Sequence, residues 1–153
     1  MNEHPIDIDG DETKRADGSP LDALIEFYRA FNAADLAGLE SVWLDFPTPS
    51  MDNPIGGIRR GWSEIAEGYT NLFQGQAKVH VTFHDYTSQG GDDWHLFVGR
   101  ERGTCKTPAQ TLNVAFRTTR WFVRKNGNWR QLHHHGSVED PKMLADYQTM
   151  IFG

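Results

Sequence analysis

The chain has 153 residues, with 15 basic and 21 acidic side chains and a net charge of −6, a balance that argues against a nucleic-acid partner. That length predicts a single domain, able to bury roughly 68–70% of its unfolded surface without disulfides or metal. Hydrophobic residues at 38% and aromatics at 12% exclude a disordered chain, and no apolar run approaches the about 18 residues of a membrane-spanning helix.

Residues 1–18 read as a flexible acidic tail. Within the first nineteen residues six acids stand against two bases, so this stretch holds −4 of the charge. It offers isoleucines but no aromatic residue and is expected to bury almost nothing. It lacks the basic start and apolar stretch of a signal peptide. Asp7 to Glu12 superficially matches a calcium loop, but the terminal glutamate and flanking helices are missing, so no calcium is expected.

The folded domain spans 19–153. Ser19-Pro20-Leu21-Asp22 supplies a cap, a proline at the first helical position and the third-position acid of a capping box. Leu21, Leu24, Ile25, Tyr28 and Phe31 recur every three or four residues, which predicts a helix ending near Ala33 or Ala34. Asp35 caps a shorter helix with Leu36, Leu39, Val42 and Trp43 on one side. Pro47, Pro49 and Pro54 then forbid helix, and Ile58-Arg59-Arg60 between glycines predicts a short hairpin arm. A third helix runs from Trp62 to Phe73 and stops at Gly75.

Beyond Gly75 the period changes to two. Val79, Val81 and Phe83 alternate with polar residues, and Gly90-Gly91 turns the chain. In the next strand Trp94, Leu96, Val98 and Arg100 share one face, and His95, Phe97, Gly99 and Glu101 the other. A long strand from Thr111 to Lys125 reaches Asn126-Gly127, a strong hairpin signal, and Trp129 to Val138 returns from it. After Asp140-Pro141 a closing helix carries Met143, Leu144, Tyr147 and Ile151. Helices first and antiparallel strands after give an α+β chain.

Thr119-Arg120, Arg124, Asn126-Gly127-Asn128-Trp129 and His133-His134-His135-Gly136-Ser137 together resemble the association domain of calcium/calmodulin-dependent protein kinase II, a member of the nuclear transport factor 2-like superfamily. Arg100, twenty residues before Arg120, matches a second arginine of that domain. The chain departs from the pattern where His134 stands for an aromatic residue and Gly136 for an arginine. The resemblance implies a conical fold, N-terminal helices packed against a strongly curved, mainly antiparallel sheet that encloses a cavity. It also implies that Arg100 and Arg120 are pocket residues. Strand parity then places Leu132, His134 and Gly136 inside, with His133 and His135 on the opposite face.

Two guanidinium groups in a cavity require an anionic answer, because an unpaired buried charge costs several kcal/mol. Either they pair with Asp52, or they bind a carboxylate or phosphate of a ligand. His134 suits proton transfer near neutrality, or simply donates to a nearby oxygen. Trp43, Trp62, Tyr69, Tyr28 and Phe116 line the cavity or fill the core. Of the three consecutive histidines only His133 and His135 share a side, with His80 or His84 as possible helpers, and no metal or other cofactor is expected. Cys105 is the one cysteine, which suits the cytoplasm and excludes an internal disulfide.

The expectation is a cytoplasmic small-molecule-binding protein, a homodimer through the outer sheet face, whose ligand has an anionic or polar head held by Arg100 and Arg120. Ketosteroid isomerases, scytalone dehydratases and polyketide cyclases share the fold class. The alternative is therefore a cofactor-independent enzyme with His134 or Asp52 as proton carrier. A pure oligomerisation module is the third reading.

Overall fold

A computed structural model describes residues 6–14 and 18–152. Helix α1 covers Pro20–Asn32, and the Ser19 side chain accepts the Asp22 N–H at 3.2 Å. Helix α2 covers Leu36–Val42, with the Asp35 carboxylate capping Gly38 N–H at 3.0 Å. The proline-rich stretch yields only two short strands, β1 (Ser50–Asp52) and β2 (Arg59–Arg60). Helix α3 is Trp62–Gln74. Four long strands follow: β3 Lys78–Gly90, β4 Trp94–Lys106, β5 Thr111–Lys125 and β6 Asn128–Ser137. Helix α4, Pro141–Phe152, closes the chain.

These strands form one curved, open sheet in the order β2-β1-β6-β5-β4-β3. All pairs are antiparallel except β1 with β6, which run parallel. The β5–β6 hairpin turns on Asn126 (φ 54°) and Gly127 (φ 80°), the left-handed pair that such a tight turn needs. The helices lie on the concave face. Their aromatic side chains stack into it, as Tyr28 does on Phe83 with ring centroids 5.6 Å apart. The α+β class and the helix-on-curved-sheet arrangement are as the sequence predicts. No helix among the described residues is long and apolar enough to cross a membrane.

Three local features set side-chain direction. In β3 the register shifts between His84 and Thr87, with Asp85 at φ 47°, which brings Tyr86 against Gly99 of β4. A Cβ on Gly99 would lie 2.5 Å from Tyr86 Cβ, so only glycine fits there. In β6, Trp121 pairs with His133 but Phe122 with Gln131. Leu132 is the extra residue of this bulge. Gln131, fully buried, therefore takes the inward place that unbroken parity would assign to Leu132.

The leader also differs from expectation. Ile8 is fully buried, and its backbone exchanges two hydrogen bonds with Phe83, at 2.9 and 2.8 Å. Asn32 Nδ2 donates to Asp9 O, and Asp7 pairs with Arg102 at 2.8 Å. Composition averaged over the segment hides one isoleucine docked on the free edge of β3. Glu12 accepts the N–H groups of Asp9 and Gly10, so the Asp7–Glu12 loop spends this carboxylate on its own backbone. The rest of the tail reading, residues 1–5 and 15–17, lies outside the described residues.

Candidate functional site

Between α1, α3, α4 and the concave face of the sheet lies a pocket of about 200 Å³. Phe31, Leu72, Val81 and Ile151 give it apolar walls, and Glu101, Arg120 and His134 give it a polar floor. Strand alternation explains the floor. Val114, Phe116, Thr118, Arg120 and Phe122 form the buried face of β5, and Phe97 and Glu101 that of β4.

Arg120 is engaged at each of its three guanidinium nitrogens. Its Nη2 meets Glu101 Oε2 at 2.9 Å, its Nη1 meets Gln131 Oε1 at 3.0 Å, and its Nε donates to the Tyr28 hydroxyl at 3.0 Å. The Tyr28 hydroxyl donates in turn to Glu101 Oε2 at 2.5 Å. The guanidinium carbon also sits 3.8 Å from the centre of the Phe27 ring. Burial pushes the Tyr28 hydroxyl well above its ordinary pKa, so it stays a proton donor. The floor is thus a charge-balanced network in which every arginine nitrogen has a protein partner, while Gln131 Nε2 is buried with none among the described residues. Glu101 Oε1 receives no hydrogen bond from any described residue.

His134 faces Arg120 across the β5–β6 pairing. Burial, then the Arg120 charge, hold its pKa well below the ordinary 6.5, so the ring is neutral. Its Nδ1 lies 3.3 Å from Thr119 O, an acceptor, which fixes the proton on Nδ1 and leaves Nε2 with a lone pair. A Cβ on Gly136 would lie 2.9 Å from Pro54 Cδ and 3.3 Å from His134 Nε2. Glycine here lets the β1 side of the pocket close onto His134. Tyr69 accepts a hydrogen bond from Trp43 Nε1 at 3.3 Å, and burial pushes its pKa up to about 12. Asn53 Oδ1 on the wall is buried with no hydrogen-bond partner among the described residues.

Tyr69, Phe116, Arg120 and His134, all anticipated from the sequence, come together at the pocket. Tyr28 lies beneath them, supporting Arg120, and Trp43 is core behind Tyr69. Trp62 packs at the edge of the core and does not line the pocket. Two placements are corrected. Arg100 sits on the outer face, pairing with Glu139 at 2.7 Å and Asp85 at 3.3 Å. Register makes this unavoidable: Arg100 stands opposite Arg117, which differs in parity from Arg120. Asp52 does not lie between the arginines; it pairs with His135 on the outer face at 3.0 Å. Glu101 is the true partner of Arg120. Its signal was present in the alternation that sets it beside Phe97, whereas Gln131 was hidden by the bulge.

The family model of the SnoaL-like domain matches residues 21–141. No curated protein matches the chain. Among solved structures, a proposed dehydratase of the nuclear transport factor 2-like family from Streptomyces avermitilis is similar at 20% identity and a TM-score of 0.70, over 75% of this chain and 90% of its own. A proposed calcium/calmodulin-dependent protein kinase II association domain from Xanthomonas campestris is similar at 16% identity and a TM-score of 0.66, over 85% and 94%. A ketosteroid isomerase-like protein from Erwinia carotovora atroseptica is similar at 21% identity and a TM-score of 0.65, over 78% and 92%.

Proposed function

The chain belongs to the SnoaL-like domain family, nuclear transport factor 2-like in fold, and on that premise we propose that its pocket binds a small organic molecule, apolar in body and polar at one end. The observation that carries this reading is a polar floor of Glu101, Arg120 and His134 under apolar walls. Of the two head chemistries, anionic or neutral polar, the Arg120–Glu101 pair favours the neutral one, because the guanidinium already has its counter-charge. A hydroxyl or carbonyl meets a lone pair on His134 Nε2 and acceptor capacity on Glu101 Oε1. An anionic substituent, where present, meets Arg59 at the pocket wall. The test is a thermal-shift and NMR titration with hydroxylated and ketonic ring compounds. Wild-type protein should respond to some of them, and Leu72→Trp, which fills the pocket, should not. Equal responses from both proteins would defeat the reading.

A second reading is an isomerase, dehydratase or cyclase with His134 as general base. It is favoured by one observation, the neutral imidazole whose Nε2 is free of any described partner. Glu101 replaces Asp52 as the geometrically apt carboxylate in this reading. If a turnover is found, survival of full activity in both His134→Gln and Glu101→Gln ends it.

The reading includes a homodimer through the outer sheet face and a cytoplasmic setting. Trp94, Val98 and Trp121 are exposed large hydrophobics on β4 and β5, which supports a covered face. Cys105 is buried and unpaired, which suits a reducing compartment. An assembly role alone would need the pocket to be idle, so the titration above also discriminates that third possibility.

A further inference from the structure

We propose that Asp52, His133 and His135 form a binding site for a divalent transition-metal ion on the outer face of the sheet, bridging β1 and β6. The parallel pairing sets Ser50 beside His133 and Asp52 beside His135. Residues two apart on a strand share a face, so both histidines and the carboxylate project to the same side. One potential ligand atom from each of the three lies within 4.8 Å of the others. Ligand atoms on one tetrahedral zinc ion stand about 3.4 Å apart, so closure draws the side chains together by up to about 1.4 Å, within the reach of side-chain rotation.

The surroundings already orient the ligands. His133 Nδ1 lies 3.1 Å from the carbonyl oxygen of Ser50 and 2.7 Å from its hydroxyl. A proton on Nδ1 leaves Nε2 as the coordinating atom, the second-shell arrangement common to metal-bound histidine. His135 Nδ1 and Asp52 Oδ2 are 3.0 Å apart. An ion bound between them takes the place of this contact, with the imidazole proton moving to Nε2. Two imidazoles and one carboxylate suit zinc, nickel or copper rather than calcium or magnesium, and water completes the shell. His80 and His84, the helpers considered from sequence, lie on β3, three strand spacings of about 4.8 Å from β6, and cannot join. The site lies back to back with the pocket: His134 stands between its two histidines, and Asn53, next to Asp52, lines the pocket wall. A bound ion ties β1 to β6 directly behind both.

The test is calorimetric titration of the full chain, free of any affinity tag, with Zn2+ and with Ni2+. The expected result is one ion per chain. Affinity should fall by at least about tenfold in His135→Gln and in Asp52→Asn, and stay unchanged in the double variant His80→Gln/His84→Gln. Equal affinity in wild type and His133→Gln/His135→Gln overturns the proposal. Should the variants misfold, carbethoxylation of the wild-type histidines read by peptide mass spectrometry decides. Zinc protection of His133 and His135 supports the site, and no protection overturns it.

Discussion

Glu101 and Arg120 form a buried ion pair, Oε2 to Nη2 at 2.9 Å, with side chains only 8% and 4% exposed. They are not direct cross-strand neighbours. Arg120 stands opposite Phe97 and Glu101 opposite Phe116, with Gly99 opposite Thr118 between them, so the long arginine reaches over a position without a side chain. Tyr28 and Gln131 take up the other two guanidinium nitrogens, and this exchange of water for protein partners is what makes the burial tolerable.

Removing one partner strands the other. Glu101→Gln leaves Arg120 as an uncompensated buried cation and should lower unfolding free energy by about 3–5 kcal/mol, read from urea denaturation. The double variant Glu101→Gln/Arg120→Met should lose less than the sum of the single changes. Strict additivity would show that the two groups do not interact as the geometry says.

The Tyr28 hydroxyl is shared between the two charges. Tyr28→Phe keeps the ring on Phe83 and removes only the oxygen. Hydrogen bonds to charged groups contribute about 1.5–3 kcal/mol, so a loss in that range is expected by the same urea measurement. A loss below about 0.5 kcal/mol would mean that the ion pair holds without it.

Helix boundaries and the Asn126-Gly127 turn are legible because each follows from local spacing and capping, whereas both faces of β5 mix apolar and polar residues and alternation alone does not choose between them. Arg120 is placed inside by the resemblance, and His134 by strand parity from it. The same resemblance puts Arg100 in the pocket, but its register opposite Arg117 forbids it beside Arg120. Gln131 escaped because a bulge inserts one residue, which no alternation rule foresees. Asp52 is offered by the sequence as a counter-charge for the arginines, while a parallel β1–β6 pairing, invisible to hairpin logic, turns it outward to His135.

Arg100 and Arg120 offer a direct contrast. Arg100→Ala deletes only solvent-exposed pairs with Glu139 and Asp85, which water screens. Its urea midpoint and its ligand responses should match wild type. Arg120→Ala should abolish the ligand responses and greatly reduce the midpoint. Loss of ligand response in Arg100→Ala would place the binding surface on the outer face instead.

His134 gives the fold a dependence on pH with a definite sign. Its native pKa lies well below 6.5, through burial first and the Arg120 charge second. In the unfolded chain it returns to about 6.5. Between those two values the unfolded state holds a proton that the native state refuses. Stability from this group is therefore complete above about pH 6.5 and declines on acidification, by up to about 1.4 kcal/mol per pH unit. His95, also lowered by burial, adds a smaller loss in the same direction. Glu26 and Glu139 are lowered carboxylates, so their contributions fade only below the ordinary carboxylate pKa of 4.5. Urea midpoints for wild type and His134→Gln, measured from about pH 5 to about 8, separate these effects. The variant should show a much flatter profile between about pH 5 and 6.5, with the shallow His95 slope remaining. Parallel profiles would mean that His134 takes up its proton inside the folded protein, and the neutral imidazole assigned to the pocket floor would have to be given up.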